Sequence, residues 1–252
     1  MRILGTMAHG PSQRFRVVTV GGPRWRSEEE RVARVLVRLD ALALRSSAAP
    51  GVVLAWLLPA NVVLGAAGVG IGLVVADDPA LYFRELMPGT LLSAAHLLAA
   101  AVVARAIHLR DPAGRRWLDS FWALSAAVLA ALVLVELAQP TIYLSHWLRD
   151  DLGLRAPGGI TDLDGLLMAF LLGAVVVVLA SRSRDVFRYP RAVALFACAA
   201  TLGATSQFID ATVRVSAWEF VLEDSAKALA GPFLVAGYLA VLGAVAGRSR
   251  AG

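Results

Sequence analysis

Residues 51–76 read GVVLAWLLPANVVLGAAGVGIGLVVA, a run without a single charged side chain. At a rise of ~1.5 Å per residue, about 20 apolar residues cross the ~30 Å hydrocarbon core of a bilayer, so this stretch is long enough to span one. Similar runs follow, and the spacing predicts six spans, at 52–76, 89–109, 117–138, 165–181, 191–211 and 220–247. Hydrophobic residues make up 58% of the 252 and the mean hydropathy is +0.67, against ~45–50% apolar residues in an ordinary soluble domain. Composition therefore excludes a water-soluble protein. Spanning backbone must satisfy its own hydrogen bonds, and these Ala-, Leu- and Val-rich runs lack the alternation of a barrel strand. The expected fold is all-α: a polytopic integral membrane helical bundle of about six transmembrane helices.

The arginines set an expected orientation. With the N-terminus cytoplasmic, only five of the 24 basic residues, Arg84, Arg149, Arg155, Arg214 and Lys227, fall on the outer side. Every inner loop then obeys the positive-inside rule, which predicts an even number of spans and both termini in the cytoplasm. Twelve of the 19 acidic residues fall outside, among them Glu136, Asp210, Glu219, Glu223 and Asp224. The net charge of +5 thus reflects an asymmetric membrane protein, and nucleic acid is not an expected partner. Met1 to Gly10 has no apolar core of signal-peptide length, so the first span is expected to act as the uncleaved insertion signal. The 23 arginines against one lysine, with abundant alanine, suggest a GC-rich bacterial genome and a plasma-membrane location.

The chain divides into an N-terminal cytoplasmic segment, 1–50, and a transmembrane domain, 51–252. Residues 1–26 are rich in Gly, Pro and Arg. Ser27-Glu28-Glu29-Glu30 then reads as a helix start, a capping hydroxyl followed by carboxylates at the positive end of the dipole. A helix over about 27–46 would place Val32, Val35, Leu36 and Leu39 on one stripe, with Arg31, Arg34 and Arg38 on other faces. Such a helix suits either the surface of anionic lipids at the cytoplasmic face or packing against the bundle or a partner. Expected partners are therefore membrane lipids, with other membrane subunits or further copies of the chain beside them.

Within the spans, Gly68-x-x-x-Gly72 would let another helix approach closely. Leu166 to Ala180 is nearly featureless and is expected to face lipid, and the lone Cys198 reads as a small packing residue. Trp117, Trp147 and Trp218 fall near span ends, as interfacial aromatics do.

Polar side chains collect toward the outer half of the remaining spans. His96 lies about two turns inside the second span, Glu136 ends the third and Asp210 ends the fifth. Glu219, Glu223 and Lys227 lie in the first turns of the last. Ionisable groups within spans are costly, usually face the bundle interior, and mark ion, proton or ligand sites. Glu223 and Asp224 stand four and three residues before Lys227, the spacing of an in-helix ion pair. The structural reading is a pair that neutralises a buried charge. The functional one is a site in which Glu223 and Lys227 face Asp210 and Glu136 across the bundle.

Leu222-Glu223-x-Ser225-Ala226-Lys227 also resembles the last helix of microbial rhodopsins, where a carboxylate sits one turn before the retinal-linking lysine. That resemblance implies retinal on Lys227. It covers about one turn, the chain departs from it with six spans against seven, and nothing else in the sequence calls for a cofactor.

The outer connection, 140–164, carries Leu144, Trp147 and Leu148 on one side of a short helix expected in the headgroup region. Thr161-Asp162-Leu163-Asp164 reads as a cap for the fourth span and lacks most ligands of a calcium loop. His146 beside Asp150 and Asp151 lacks a zinc-binding context, so no metal site is expected. There is no phosphate-binding Gly-rich loop, no Gly-x-Gly-x-x-Gly and no Gly-x-Ser-x-Gly, and no catalytic residue is assigned. The readings left are a small transporter-like or lipid- or ion-handling bundle, an accessory subunit of a membrane assembly, and an outer-face enzyme. They differ in whether the polar residues converge on a cavity or line a flat rim.

Overall fold

A computed structural model of the chain describes residues 49–83, 88–110, 119–153, 163–212 and 216–251. These belong to one compact unit, Asp40–Gly252. The helix expected over 27–46, with Arg31, Arg34, Arg38, Val32, Val35 and Leu36, lies outside the described residues, as do Arg84, Glu85 and the cap at 161–162.

The described elements are helical, and there is no strand among them. In chain order they are α1 (Ala49–Ala76), α2 (Pro88–Arg110), α3 (Phe121–Ala138), α4 (Pro140–Asp150), α5 (Leu163–Ala180), α6 (Pro190–Thr212) and α7 (Ala217–Ala251), with a 3-10 turn at Ser183–Asp185. Five are long and apolar enough to cross a membrane: Pro50–Ala76, Pro88–Arg110, Phe121–Ala138, Pro190–Asp210 and Ala217–Gly247. The sixth expected span corresponds to α5, which among the described residues contributes a shorter apolar stretch, Leu166–Ala180. The protein is an all-α integral membrane bundle.

α7 is the central post: it packs against α6, α2 and α1, and α2 packs against α3. Pro232 interrupts its hydrogen-bond ladder, since proline has no N–H for the carbonyl four residues earlier. That carbonyl, Ala228 O, accepts instead from Asn61 Nδ2 of α1 at 2.6 Å. Satisfaction by a neighbouring helix is what makes proline tolerable in a bilayer.

Helix ends are set by local chemistry. α1 stops where Asp77 turns left-handed at φ 53°, and Asp78 Oδ1 accepts from the Ala80 amide at 2.9 Å. The returning segment tucks Ala80 and Phe83 against Val221 of α7. Gly68 and Gly72 serve this return: a Cβ at Gly68 would lie 3.4 Å from Phe83, and one at Gly72 would lie 3.3 Å from Leu81. What approaches the glycines is this loop, not another helix. α3 begins at Phe121 instead of 117, because Ser120 is its N-cap, accepting from the Ala123 amide at 3.4 Å. Gln139, left-handed at φ 49°, ends α3, and Pro140 opens α4. Cys198 is exposed on α6, and Phe170, Val176, Val177 and Val178 of α5 are exposed as well. Much of α1 is also outward, including Trp56 and Val74, as suits a lipid-facing helix.

Candidate functional site

At the end of the bundle where α3 and α6 finish and α2 and α7 begin, the helices enclose a cavity of about 260 Å³. Glu136 of α3, Asp210 of α6 and Glu223, Asp224 and Lys227 of α7 all line it. Glu136 and Asp210 occupy the last turns of their helices, where the negative end of the macrodipole disfavours a carboxylate by ~0.3–1 kcal/mol each.

Lys227 Nζ contacts Glu223 Oε1 directly and Asp224 Oδ1 at 3.6 Å. Glu136 adds its field to both Asp224 and Lys227. Asp224 is fixed from a second side, since a Cβ at Gly89 in the first turn of α2 would lie 3.1 Å from its Oδ2. The positive end of the α2 dipole faces it there. Four carboxylates thus share one cavity with a lysine that two of them already engage.

α4 forms one wall. Thr141, Ser145 and Arg149, one helical stripe, line the cavity with His146 and Gln139, whereas Tyr143, Leu144 and Trp147 are exposed. The helix expected to lie in the headgroup region therefore also borders the polar space. Its signal in the sequence was the i, i+4, i+8 spacing of Thr141, Ser145 and Arg149. Arg149 Nε pairs with Asp150 at 3.1 Å.

A second cavity, of about 280 Å³, adjoins the first, with Val135, Glu136, Met168, Gln207 and Lys227 in the wall of both. Its walls are Leu132, Leu172, Leu234 and Phe196, with two buried polar residues, His96 and Ser206. His96 is 6% exposed and Ser206 0%, yet His96 Nδ1, Ser206 Oγ and Gln207 Oε1 have no hydrogen-bond partner. A buried orphan of this kind costs ~1–3 kcal/mol. His96 fits only because residue 231 is glycine: a Cβ there would lie 2.5 Å from its Cγ.

Aromatic side chains pack behind Phe196, which lines this cavity. Phe196 stacks edge-on with Tyr238 at 4.8 Å between centroids, and Tyr238 meets Trp122 at 6.2 Å. The Tyr238 hydroxyl bonds that of Ser125. Trp122 continues the layer to Tyr189 at 6.1 Å.

Of the six residues singled out in the sequence, five line these two adjoining cavities: Glu136, Asp210, Glu223 and Lys227 the polar one, and His96 the apolar one. Glu219 stands apart. Its Oε2 accepts from the Ser216 amide at 3.0 Å and its own amide donates to Ser216 Oγ at 3.2 Å, the reciprocal capping box that starts α7. Among the described residues no group of three or more His, Cys, Asp or Glu is placed to hold a metal ion. The chain matches no family model, no curated protein and no solved structure.

Proposed function

We propose that this protein is a small transporter-like bundle of the plasma membrane that binds a cation or proton in an acidic site near its extracytoplasmic face, with both termini in the cytoplasm. The observation that carries this reading is convergence: Glu136, Asp210, Glu223, Asp224 and Lys227 line one cavity instead of a flat rim. A contact surface for a partner subunit has no need to draw acids inward, away from water, where each is costly. Glu136, Glu223 and Asp224 around Lys227 are the groups through which the site would take up a proton or a cation.

The packed aromatic residues Phe196, Tyr238, Trp122 and Tyr189 lie on the far side of the apolar cavity, and a carrier exposes its site to one side at a time. The arginines support the orientation: Arg105, Arg110, Arg182, Arg184, Arg188 and Arg191 flank the opposite helix ends, which the positive-inside rule assigns to the cytoplasm.

The test is proton flux in liposomes containing the full chain and an internal pH-sensitive dye. An imposed pH gradient should dissipate faster than in empty liposomes, with Glu136→Gln returning the rate to background. Background rates from a folded wild-type protein, with and without methylammonium outside, would overturn the carrier reading in favour of an accessory subunit.

A further inference from the structure

Side chains of α2, α3, α5, α6 and α7 wall the apolar cavity beside the acidic one, and buried polar groups in that wall have nothing to bond. We propose that this cavity binds one uncharged, mainly apolar small molecule carrying a hydroxyl group, an aliphatic alcohol or a phenol. The hydroxyl lies beside Ser206, Gln207 and His96, and the apolar body lies against Leu132, Leu172 and Phe196. This goes beyond the carrier reading and does not depend on it.

Three observations carry it. The first is the set of unpartnered groups. His96 Nδ1, Ser206 Oγ and Gln207 Oε1 have no hydrogen-bond partner. All three residues line the cavity, and His96 and Ser206 are more than nine-tenths buried. Groups of this kind cost stability until something bonds them. The Gln207 carbonyl accepts and the Ser206 hydroxyl both donates and accepts, so a ligand hydroxyl, donor and acceptor in one, suits them. The second is the rest of the wall. Leu129, Leu132, Leu172, Leu234 and Phe196 border the same space and offer a ligand burial of apolar surface. A full charge set against them would lose its hydration at high cost. Among the described residues the wall holds one charged side chain of each sign, Glu136 and Lys227, which favours neither an anion nor a cation. The third is size. The volume of about 280 Å³ is close to twice the ~150 Å³ that accommodates one benzene, which gives room for about nine to twelve heavy atoms. Water fills such a space poorly, since each molecule needs roughly two to four polar partners and most of this wall supplies none.

The test is photolabelling of the full-length protein in phosphatidylcholine nanodiscs with a diazirine-bearing octanol, the adducts being mapped by mass spectrometry of its peptides. Labelling of Leu132, Leu172 and Phe196 should saturate with dose, whereas labelling of the exposed Phe170 and Val177 should rise in proportion to it. At equal concentrations in the bilayer, octanol should displace the cavity label at least about fivefold more effectively than octane, the worth of one hydrogen bond to a buried orphan. Octylammonium and octanoate should displace it less well than octanol. Ser206→Ala should narrow the gap between octanol and octane, and should unfold no earlier than wild type, because its Oγ has no partner to lose. Gly203 also lines the cavity, and a Cβ there meets nothing within 4 Å, so Gly203→Leu should fill the space and abolish the saturable label. Ala200→Leu, on the same wall, replaces it should Gly203→Leu fail to fold. Cavity labelling that never saturates, or that survives the filling variant, overturns the site. Octane as effective as octanol, or Ser206→Ala without effect on octanol, overturns the hydroxyl assignment. Stronger displacement by octylammonium or octanoate than by octanol overturns the uncharged ligand.

Discussion

The side-chain amide of Asn61 takes the place of the backbone N–H that Pro232 lacks, donating to Ala228 O at 2.6 Å across the α1–α7 contact. Asn61 is 5% exposed, so its loss also leaves that carbonyl without a donor. Asn61→Leu should destabilise the bundle by about 1–3 kcal/mol, the cost of an unmet buried acceptor. In a Pro232→Ala background residue 232 regains its N–H, so the same substitution should cost much less. Thermal unfolding in detergent of both single variants and the double variant measures this coupling, and additive effects would refute it.

His96 and Gly231 form a second coupled pair. A methyl at residue 231 would sit 2.5 Å from His96 Cγ, so Gly231→Ala should cost about 1–3 kcal/mol, as overpacking does. This outweighs the ~1 kcal/mol that alanine gains over glycine inside a helix. With His96→Ala the clash disappears, and Gly231→Ala should become neutral or stabilising. A destabilisation unchanged by His96→Ala, in the same unfolding assay, would show that the glycine serves another neighbour.

The class of the fold was legible because hydropathy and length alone decide whether a segment can cross a bilayer, and 51–76 does so without a charge. The ends were less so. Ser120 moves the start of α3 to Phe121 by capping it, and only the packing of Leu81 and Phe83 shows that Gly68 and Gly72 receive a loop. The candidate residues could be named from their cost in a membrane, and a site of Glu136, Asp210, Glu223 and Lys227 was one of two readings, but the sequence did not decide between them. Glu219 and Glu223 are equally acidic in sequence, yet one caps α7 and the other lines the cavity. Which residues line each cavity depends on which faces of α3, α6 and α7 meet, and helical periodicity in uniformly apolar segments does not encode that.

The arginine distribution makes orientation testable. A reporter active only outside the cytoplasm should give signal when fused after Gly159, and none when fused after Ala113 or Gly252. Arg110, Arg115, Arg116, Arg248 and Arg250 flank the latter two positions. Signal at Gly252 would reverse the bundle or change the parity of its spans, and would put the acidic cavity on the cytoplasmic side.

Lys227 answers whether the acidic cluster is structural or working. Lys227→Met leaves Glu223, Asp224 and Glu136 facing one another without their cation, and with Lys227 only 25% exposed the loss should approach the roughly 3–5 kcal/mol of a broken buried pair. Adding Glu223→Gln removes one of the stranded charges and should recover part of that loss. Detergent unfolding of the two single variants and the double variant measures this, and singles as stable as wild type would dismiss the pair. The double variant should insert and fold but lose proton flux, because the cavity then keeps neither its lysine nor the carboxylate that holds it. Full flux from a folded double variant would make the pair a structural neutralisation, and would leave Glu136 as the carboxylate to which the charge uptake is assigned.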